Sequence, residues 1–318
     1  MPAKTSSRVA AAIDIGSNSV HLLVARARRT VSTGTRTELT TLVDQSDLIG
    51  LGDALEVGGS IPPESLQAVV DSLHRLLPLA EGAGASRVVV VGTEPLRRAR
   101  NTDELNAAVE RFTGHSIQVL TERQEAELTF LGVTGGLMPT EALAVVDIGG
   151  GSTEAAIHVP GSDLEVVPLP LGSARLTNAI VRNDPPSLDE LNELVATARE
   201  IVDGAIWPDH AGASIRRAIF VGGTATNVAR LGLLDRAHLN EDLSTLSRLT
   251  ADEVVEHFGV RPRRARQLAA GVAIVSALLD RFLLGQAEVS EASLRDGAII
   301  AALARGEDWL AALDDLVG

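Results

Sequence analysis

The chain has 318 residues, enough for two ordinary domains, and its 45% apolar and 22% charged residues with 29 glycines exclude a disordered or fibrous protein. Cysteine is absent, which excludes disulfides, thiolate metal sites and a cysteine nucleophile, and with no tyrosine and 2% aromatic residues a stacking platform for bases is hard to find. The net charge of −14 argues against duplex nucleic acid as a partner, and Lys4, the only lysine, leaves the folded body without a Walker A or Schiff-base lysine.

In chain order, Val9 to Gly16 is an apolar run ending in Asp14-Ile-Gly, followed by Ser17-Asn18-Ser19 and a second apolar run, Val20 to Ala25. This spacing predicts strand, tight turn, strand. Pro62 and Pro63 open a helix on which Leu66, Val69, Val70, Leu73, Leu76 and Leu77 recur at helical spacing. A buried strand is expected over Arg87 to Val91, ending at Gly92, and a short one over Ile117 to Leu120. Thr121 with Gln124 three residues on is a capping-box start for the next helix.

Ala142 to Gly149 then repeats the opening pattern, with Asp147-Ile-Gly, Gly150-Gly151-Ser152-Thr153 and a strand from Glu154 to Val159. The repetition predicts duplicated halves facing one another. A helix near Ser187 to Ile206, a strand Ala218 to Val221 ending in Gly222-Gly223, and helices near Thr224 to Leu231, Ala251 to His257 and Arg264 to Leu284 follow, then a strand near Glu288 and closing helices. The apolar run Leu268 to Leu284 carries Ser276, Asp280 and Arg281, so it reads as a buried helix and no membrane is expected as a partner. No basic segment precedes an apolar stretch at the start, which places the protein in the cytoplasm as an expectation.

A strand ending in Asp-Ile-Gly and turning through Gly, Ser and Thr exposes consecutive N–H groups, and the missing Cβ lets phosphate oxygens approach the backbone. The Asp at the strand end is suited to hold Mg²⁺ beside those oxygens. One such turn alone is an ordinary glycine-rich hairpin. Two in matching context, with Val221-Gly-Gly-Thr-Ala-Thr-Asn227 after a third strand, point to phosphate binding.

Those three elements, in that order, resemble the two phosphate loops and the Gly-Gly turn of the actin, sugar-kinase and heat-shock chaperone superfamily. Further segments are similar to the exopolyphosphatase and guanosine-pentaphosphate phosphatase (Ppx/GppA) family: Asp14 to His21, Gly92-Thr-Glu-Pro-Leu-Arg97 with Ala99 and Asn101, Glu125-Ala126-Glu127, Asp147 to Glu154, Leu171 to Leu176 and Leu294-Arg-Asp-Gly297. Two departures stand out: Gln124 where the family's segment begins with Glu, and Arg266 where the family often has Asp. The chain also ends before the helical C-terminal region of long family members.

The resemblance implies an α/β fold of two actin-like (ribonuclease H-like) domains with a cleft between them. Residues 1–122 would form the first, joined by a C-terminal helix at about 302–318, and 123–301 the second. It implies Glu125 as the general base and Glu154 as the residue positioning the metal or the lytic water. Asp147, then Asp14, would hold Mg²⁺. Ser17, Asn18, Gly149, Gly150, Gly151, Ser152, Thr153, Gly222, Gly223 and Thr224 would offer donors to phosphate oxygens, with Arg97 as a bidentate arginine. Arg175, Arg263 and Arg266 are candidates for extending the track. Glu122, Glu127 and Arg98 read as solvated charges, and His21 as a packing residue. The expected activity is Mg²⁺-dependent removal of terminal phosphate from polyphosphate. The alternatives are a pppGpp 5′-phosphohydrolase, an ATP-dependent kinase or chaperone on the same fold, and a sensor of polyphosphate or alarmone without turnover. A homodimer enters by analogy alone.

Overall fold

In the computed structural model, which describes residues 8–30, 36–209 and 214–317, the opening apolar runs form the expected antiparallel hairpin. Lys4 lies outside the described residues. β1 (Arg8–Ile15) pairs with β2 (Ser19–Thr30), from Arg8 opposite Ala27 to Ile15 opposite Val20, and β2 pairs in turn with β3 (Arg36–Leu48). Helices α1 (Leu51–Gly58) and α2 (Pro63–Gly82) follow, α2 beginning at the proline expected to start it and burying Val69, Val70, Leu73, Leu76 and Leu77. β4 (Val88–Gly92) returns parallel to β1. After α3 (Glu94–Arg98) and α4 (Thr102–Thr113), β5 (Ile117–Val119) completes a sheet of order β3-β2-β1-β4-β5. α5 (Glu122–Thr134) starts at the capping box of Thr121 and Gln124.

The second half repeats this plan. β6 (Leu143–Ile148), β7 (Thr153–His158) and β8 (Glu165–Leu169) form an antiparallel meander, followed by α6 (Ser173–Ile180) and α7 (Leu188–Gly204). β9 (Arg217–Val221) lies parallel to β6. Helices α8 (Gly222–Val228), α9 (Arg236–Leu246), α10 (Ala251–Phe258), α11 (Pro262–Ala265) and α12 (Leu268–Arg281) lead to β10 (Glu288–Val289). The order β8-β7-β6-β9-β10 matches the first sheet strand for strand. Each half is the ribonuclease H-like α/β layer expected from the repeated hairpins. The helix expected over Arg264 to Leu284 is broken in two, with Gln267 starting α12. No helix among the described residues is long and apolar enough to cross a membrane.

Each half buries its own core. Ile13, Ile15, Leu22 and Val24 pack with Leu73, Leu76 and Val90 in the first, and Val146, Ile148 and Phe220 with the buried length of α12 in the second. Two final helices, α13 (Leu294–Arg305) and α14 (Asp314–Val317), belong with the first half.

The chain divides into Met1–Met138 with Ala292–Gly318, and Pro139–Glu291. The boundaries expected at 122 and about 302 therefore shift, and α5 and all of α13 lie in the first unit. Backbone proximity explains the shift. Gly297 of α13 lies directly against the Leu128 carbonyl of α5, and Gly132 of α5 against the Ser293 carbonyl, so a Cβ at either position would collide with backbone. Glycines at a crossing let two helices touch through their main chains, which fixes α5 to α13.

Candidate active site

The first turn leaves β1 at Asp14, whose register partners are His21 on β2 and Val91 on β4. Asp14, Ser17 and Asn18 are half-buried. The Gly16 N–H donates to the Ser19 carbonyl at 3.0 Å, closing the turn. Its outer carbonyls are taken by the chain entering α1: Asn18 accepts from Ile49 and Gly50 N–H at 3.0 and 3.1 Å, and Ser17 from Gly52 N–H at 2.9 Å. The Ser17 hydroxyl, expected as a phosphate donor, instead points to Glu94 Oε2 at 3.1 Å. His21 pairs with Asp44 across β2 and β3, in keeping with a packing role.

β4 ends beside this turn, so α3 and its side chains stand next to it. Glu94 is buried and also accepts from Arg98 at 2.7 Å, which makes Arg98 a paired residue where a solvated one was expected. Arg97 donates through Nη1 to the Leu120 carbonyl at 2.8 Å and forms an ion pair with Glu125, while its buried Nη2 has no hydrogen-bond partner. Glu125 is 6% exposed in the first turn of α5. The structure thus brings together the two residues expected to be the base and the phosphate arginine. Gln124 is occupied in capping, its side chain accepting from the Thr121 N–H at 3.0 Å, so the residue at this position serves the helix start.

Two residues further on, Glu127 corrects the reading of a solvated charge. It is 1% exposed, pairs with Arg123 at 2.6 Å and has Asp314 of α14 close enough for its charge to bear on it. Burial pushes its carboxyl up to about 7, against the opposing pull of Arg123.

The second turn is built more rigidly. Gly149 N–H donates to the Ser152 carbonyl at 2.9 Å, and Gly172 lies so close to the Gly150 carbonyl that no side chain fits. Ser173 and Arg175 N–H donate to the Gly149 and Gly150 carbonyls at 3.2 and 3.0 Å, and Arg175 Nε to the Gly151 carbonyl at 2.7 Å. The Thr153 hydroxyl donates to the Leu171 carbonyl at 2.6 Å, and Thr224 to the Gly149 carbonyl at 3.0 Å. Thr153, Thr224 and Arg175, expected to reach phosphate, therefore spend these donors on shaping the turn; Gly149, Gly150, Gly151 and the half-buried Ser152 form the turn itself.

Asp147 stands directly opposite Glu154 in the β6–β7 register, and Glu154 is 4% exposed. Gly222, at φ 85°, leaves room for the Asp147 carboxylate, which a Cβ there would strike. Like charges directly opposite on a sheet face repel, and a divalent cation removes that cost. Mg²⁺ is commonly held by one or two carboxylates plus substrate phosphate, so this pair fits it. Among the described residues no group of three or more His, Asp or Glu side chains is arranged for a metal ion.

One residue escaped the sequence reading. Arg264 of α11 lies over the Gly222-Gly223 turn, its Nη2 about where a Gly223 Cβ would intrude, and donates to Gln267 at 3.2 Å. Burial, then the neighbouring Arg263 and Arg261 charges, lower its pKa. Nothing in the run Arg261, Arg263, Arg264, Arg266 singles it out; only the fold of α11 turns this one toward the glycines. Arg266 is exposed.

Comparison with known proteins fits this arrangement. The model of the Ppx/GppA phosphatase family matches residues 30–305. Exopolyphosphatase 1 of Mycobacterium leprae is 28% identical over 302 residues, covering 91% of this chain and 87% of its own. Exopolyphosphatase 2 of Mycobacterium tuberculosis is 29% identical over 313 residues, covering 90% and 96%. The crystal structure of the Aquifex aeolicus Ppx/GppA family member aligns with a TM-score of 0.79 at 26% identity, over 95% of this chain and 99% of that one. This chain is a member of the Ppx/GppA phosphatase family, an enzyme that hydrolyses phosphoanhydrides.

Proposed function

We propose that the enzyme is an exopolyphosphatase that removes the terminal phosphate of inorganic polyphosphate with water activated by Glu125. The observation that carries this reading is the buried pairing of Glu125 with Arg97. It puts a proton acceptor beside a guanidinium whose Nη2 is a spare donor, the two functions that in-line attack on a terminal phosphoryl group requires. The exopolyphosphatases among its relatives support polyphosphate as the substrate.

Each unit offers its own groups for phosphate. From the first come the base, Arg97 and the N–H groups of the Ser17-Asn18 turn. From the second come the N–H groups of Gly149 to Thr153, the Gly222-Gly223 turn with Arg264 over it, and the opposed carboxylates of Asp147 and Glu154. Asp147, with Glu154 in support, would hold Mg²⁺ to neutralise charge on the phosphate oxygens, with Asp14 as the second candidate. Glu125 takes a proton from the attacking water as the new P–O bond forms, and the bridging P–O bond breaks to leave a chain shortened by one phosphate. The five donors of Arg97 are fixed in a plane, so it can exchange a carboxylate for a phosphate without moving its stem.

Phosphate release is to be measured side by side on long polyphosphate, tripolyphosphate, pppGpp and ATP, each with Mg²⁺ and with EDTA. The expected result is release from polyphosphate at the highest kcat/KM, abolished by EDTA. Faster release from pppGpp would replace this substrate with the nucleotide. Release unaffected by EDTA would remove the metal from the mechanism.

A further inference from the structure

The tie between Ser17 and Glu94 raises a chemical problem. A phosphate-binding turn works by offering donors, yet here a buried carboxylate, 8% exposed, sits against it and takes the only hydroxyl proton Ser17 has. A hydroxyl that donates to a carboxylate presents only oxygen lone pairs elsewhere, so Ser17 meets phosphate through its N–H alone. Such a carboxylate beside an anion site is costly unless it is neutralised and has work to do. Arg98 neutralises it, at 2.7 Å.

The work is positional. Glu94 is the first residue of α3, and α3 is only five residues long. Its start is bound to the end of β1, where Thr93 N–H and hydroxyl donate to the Ile15 carbonyl at 3.3 and 3.4 Å. Arg97, one turn along, reaches Leu120 and Glu125. A continuous line of contacts therefore runs from the Ser17 hydroxyl through Glu94, along one turn of helix, to Arg97 and Glu125, all within the first unit. A rotation of α3 about its axis would move Arg97 away from the turn and out of register with Glu125 on α5. The Ser17–Glu94 bond is a side-chain contact between α3 and the turn that opposes it.

We infer that Glu94 is a positioning residue: by gripping Ser17 it holds the first phosphate turn and the Arg97–Glu125 pair in one register, and so sets where the terminal phosphoryl group sits relative to the base. This rests on the hydrolase reading above and adds to it a residue to which the sequence pattern gave no role.

The test uses the full chain and four variants, with tripolyphosphate as the probe. Glu94→Ala removes the grip; Ser17→Ala removes the same bond from the other side; Glu94→Gln keeps an oxygen for the Ser17 hydroxyl. A misplacement of about an ångström at the chemistry should lower kcat/KM roughly 10²-fold in both alanine variants. Loss of preorganisation should weaken tripolyphosphate binding about tenfold, read by calorimetry in a Glu125→Gln background where turnover does not interfere. The losses should not add in Ser17→Ala/Glu94→Ala, since both break one bond. Glu94→Gln should recover both readouts to within about threefold, a recovery that general damage to the fold would not give. Thermal unfolding is followed for each variant, and if Glu94→Ala does not fold, Ser17→Ala and Glu94→Gln carry the test. Unchanged kinetics and affinity in Ser17→Ala, additive losses, or a glutamine variant as poor as alanine would each overturn the inference. A wild-type chain that releases no phosphate would instead overturn the hydrolase reading, and calorimetry would still decide on Glu94.

Discussion

Glu127 offers a test of the packing in which no substrate is needed. Its carboxyl is 1% exposed, packed where α5 meets α14, with Arg123 on its own helix and Asp314 opposite. A second carboxylate nearby, that of Asp314, adds a like charge that disfavours ionising Glu127. Burial, as the leading cause, lifts Glu127 from 4.5 to about 7. An acid whose pKa is higher folded than unfolded holds its proton more tightly in the native state. Its contribution to stability is therefore complete below about pH 4.5 and is lost as pH rises through about 7. A separation of about 2.5 units at 1.36 kcal/mol each gives a loss on the order of 3 kcal/mol. Glu127→Gln keeps the shape but cannot ionise. Urea unfolding of both proteins at pH 5, 7 and 8.5 should find the variant close to wild type at pH 5 and more stable by about 2–3 kcal/mol at pH 8.5. Asp296 on α13, also raised by burial, is present in both proteins and cancels. Parallel stability curves over this range would refute the burial of a protonated Glu127.

Three further outcomes follow from named contacts. Glu125→Gln should lower kcat for polyphosphate by roughly 10²–10⁴ while leaving affinity nearly intact, measured as phosphate release and by calorimetry; an unchanged rate removes Glu125 from the chemistry. Arg264→Ala should raise KM for polyphosphate roughly 10–100-fold, and Arg264→Lys should not restore it, because a point charge lacks the planar fork; full recovery with lysine would reduce Arg264 to a source of charge. Gly297→Ala drives a methyl into the Leu128 carbonyl and should cost about 3 kcal/mol or prevent folding, followed by urea unfolding, whereas a change under about 0.5 kcal/mol would contradict the close crossing of α5 and α13.

How far the sequence reads through to this structure depends on the kind of signal each element carries. The paired hairpins were legible because apolar strands and Asp-Gly turns are local, and the matching strand order of the two sheets followed from their repetition. β3 was not. Residues 36–48 are rich in Thr, Glu, Asp and Gln with no buried position, because this long strand lies at the sheet edge and is held by main-chain pairing to β2. The domain boundary escaped for a different reason: α5 and α13 meet across more than 150 positions of chain, and only Gly132 and Gly297 in two otherwise ordinary helices mark the crossing. Glu127 misled in the same way, since Arg123 four residues before it reads as one more surface pair until α14 covers it.

At the site itself the residue types were legible and their division of labour was not. The two Asp-Ile-Gly turns are alike in sequence, yet they are held by opposite means. Around the second, Arg175, Ser173 and Thr224 all donate into turn carbonyls, so the supports are donors and Arg264 adds a cation at the neighbouring glycines. Around the first, the side-chain support is the carboxylate of Glu94, balanced by Arg98, and the nearby Arg97 is balanced by Glu125. Pairing balances Glu94 and Glu125 around the first turn and leaves the Asp14 carboxylate, while around the second Arg175 and Arg264 stand against Asp147 and Glu154. On the proposed reading, the second unit's affinity for a phosphate chain should depend on Mg²⁺, and the paired charges of the first would be exchanged for chemistry to begin. On the proposed reading a duplicated fold holds two unequal halves, one that would hold an anion through a metal and one that would release a base. The residues that make them unequal, Glu94, Arg98 and Arg264, all lie outside the repeated turns.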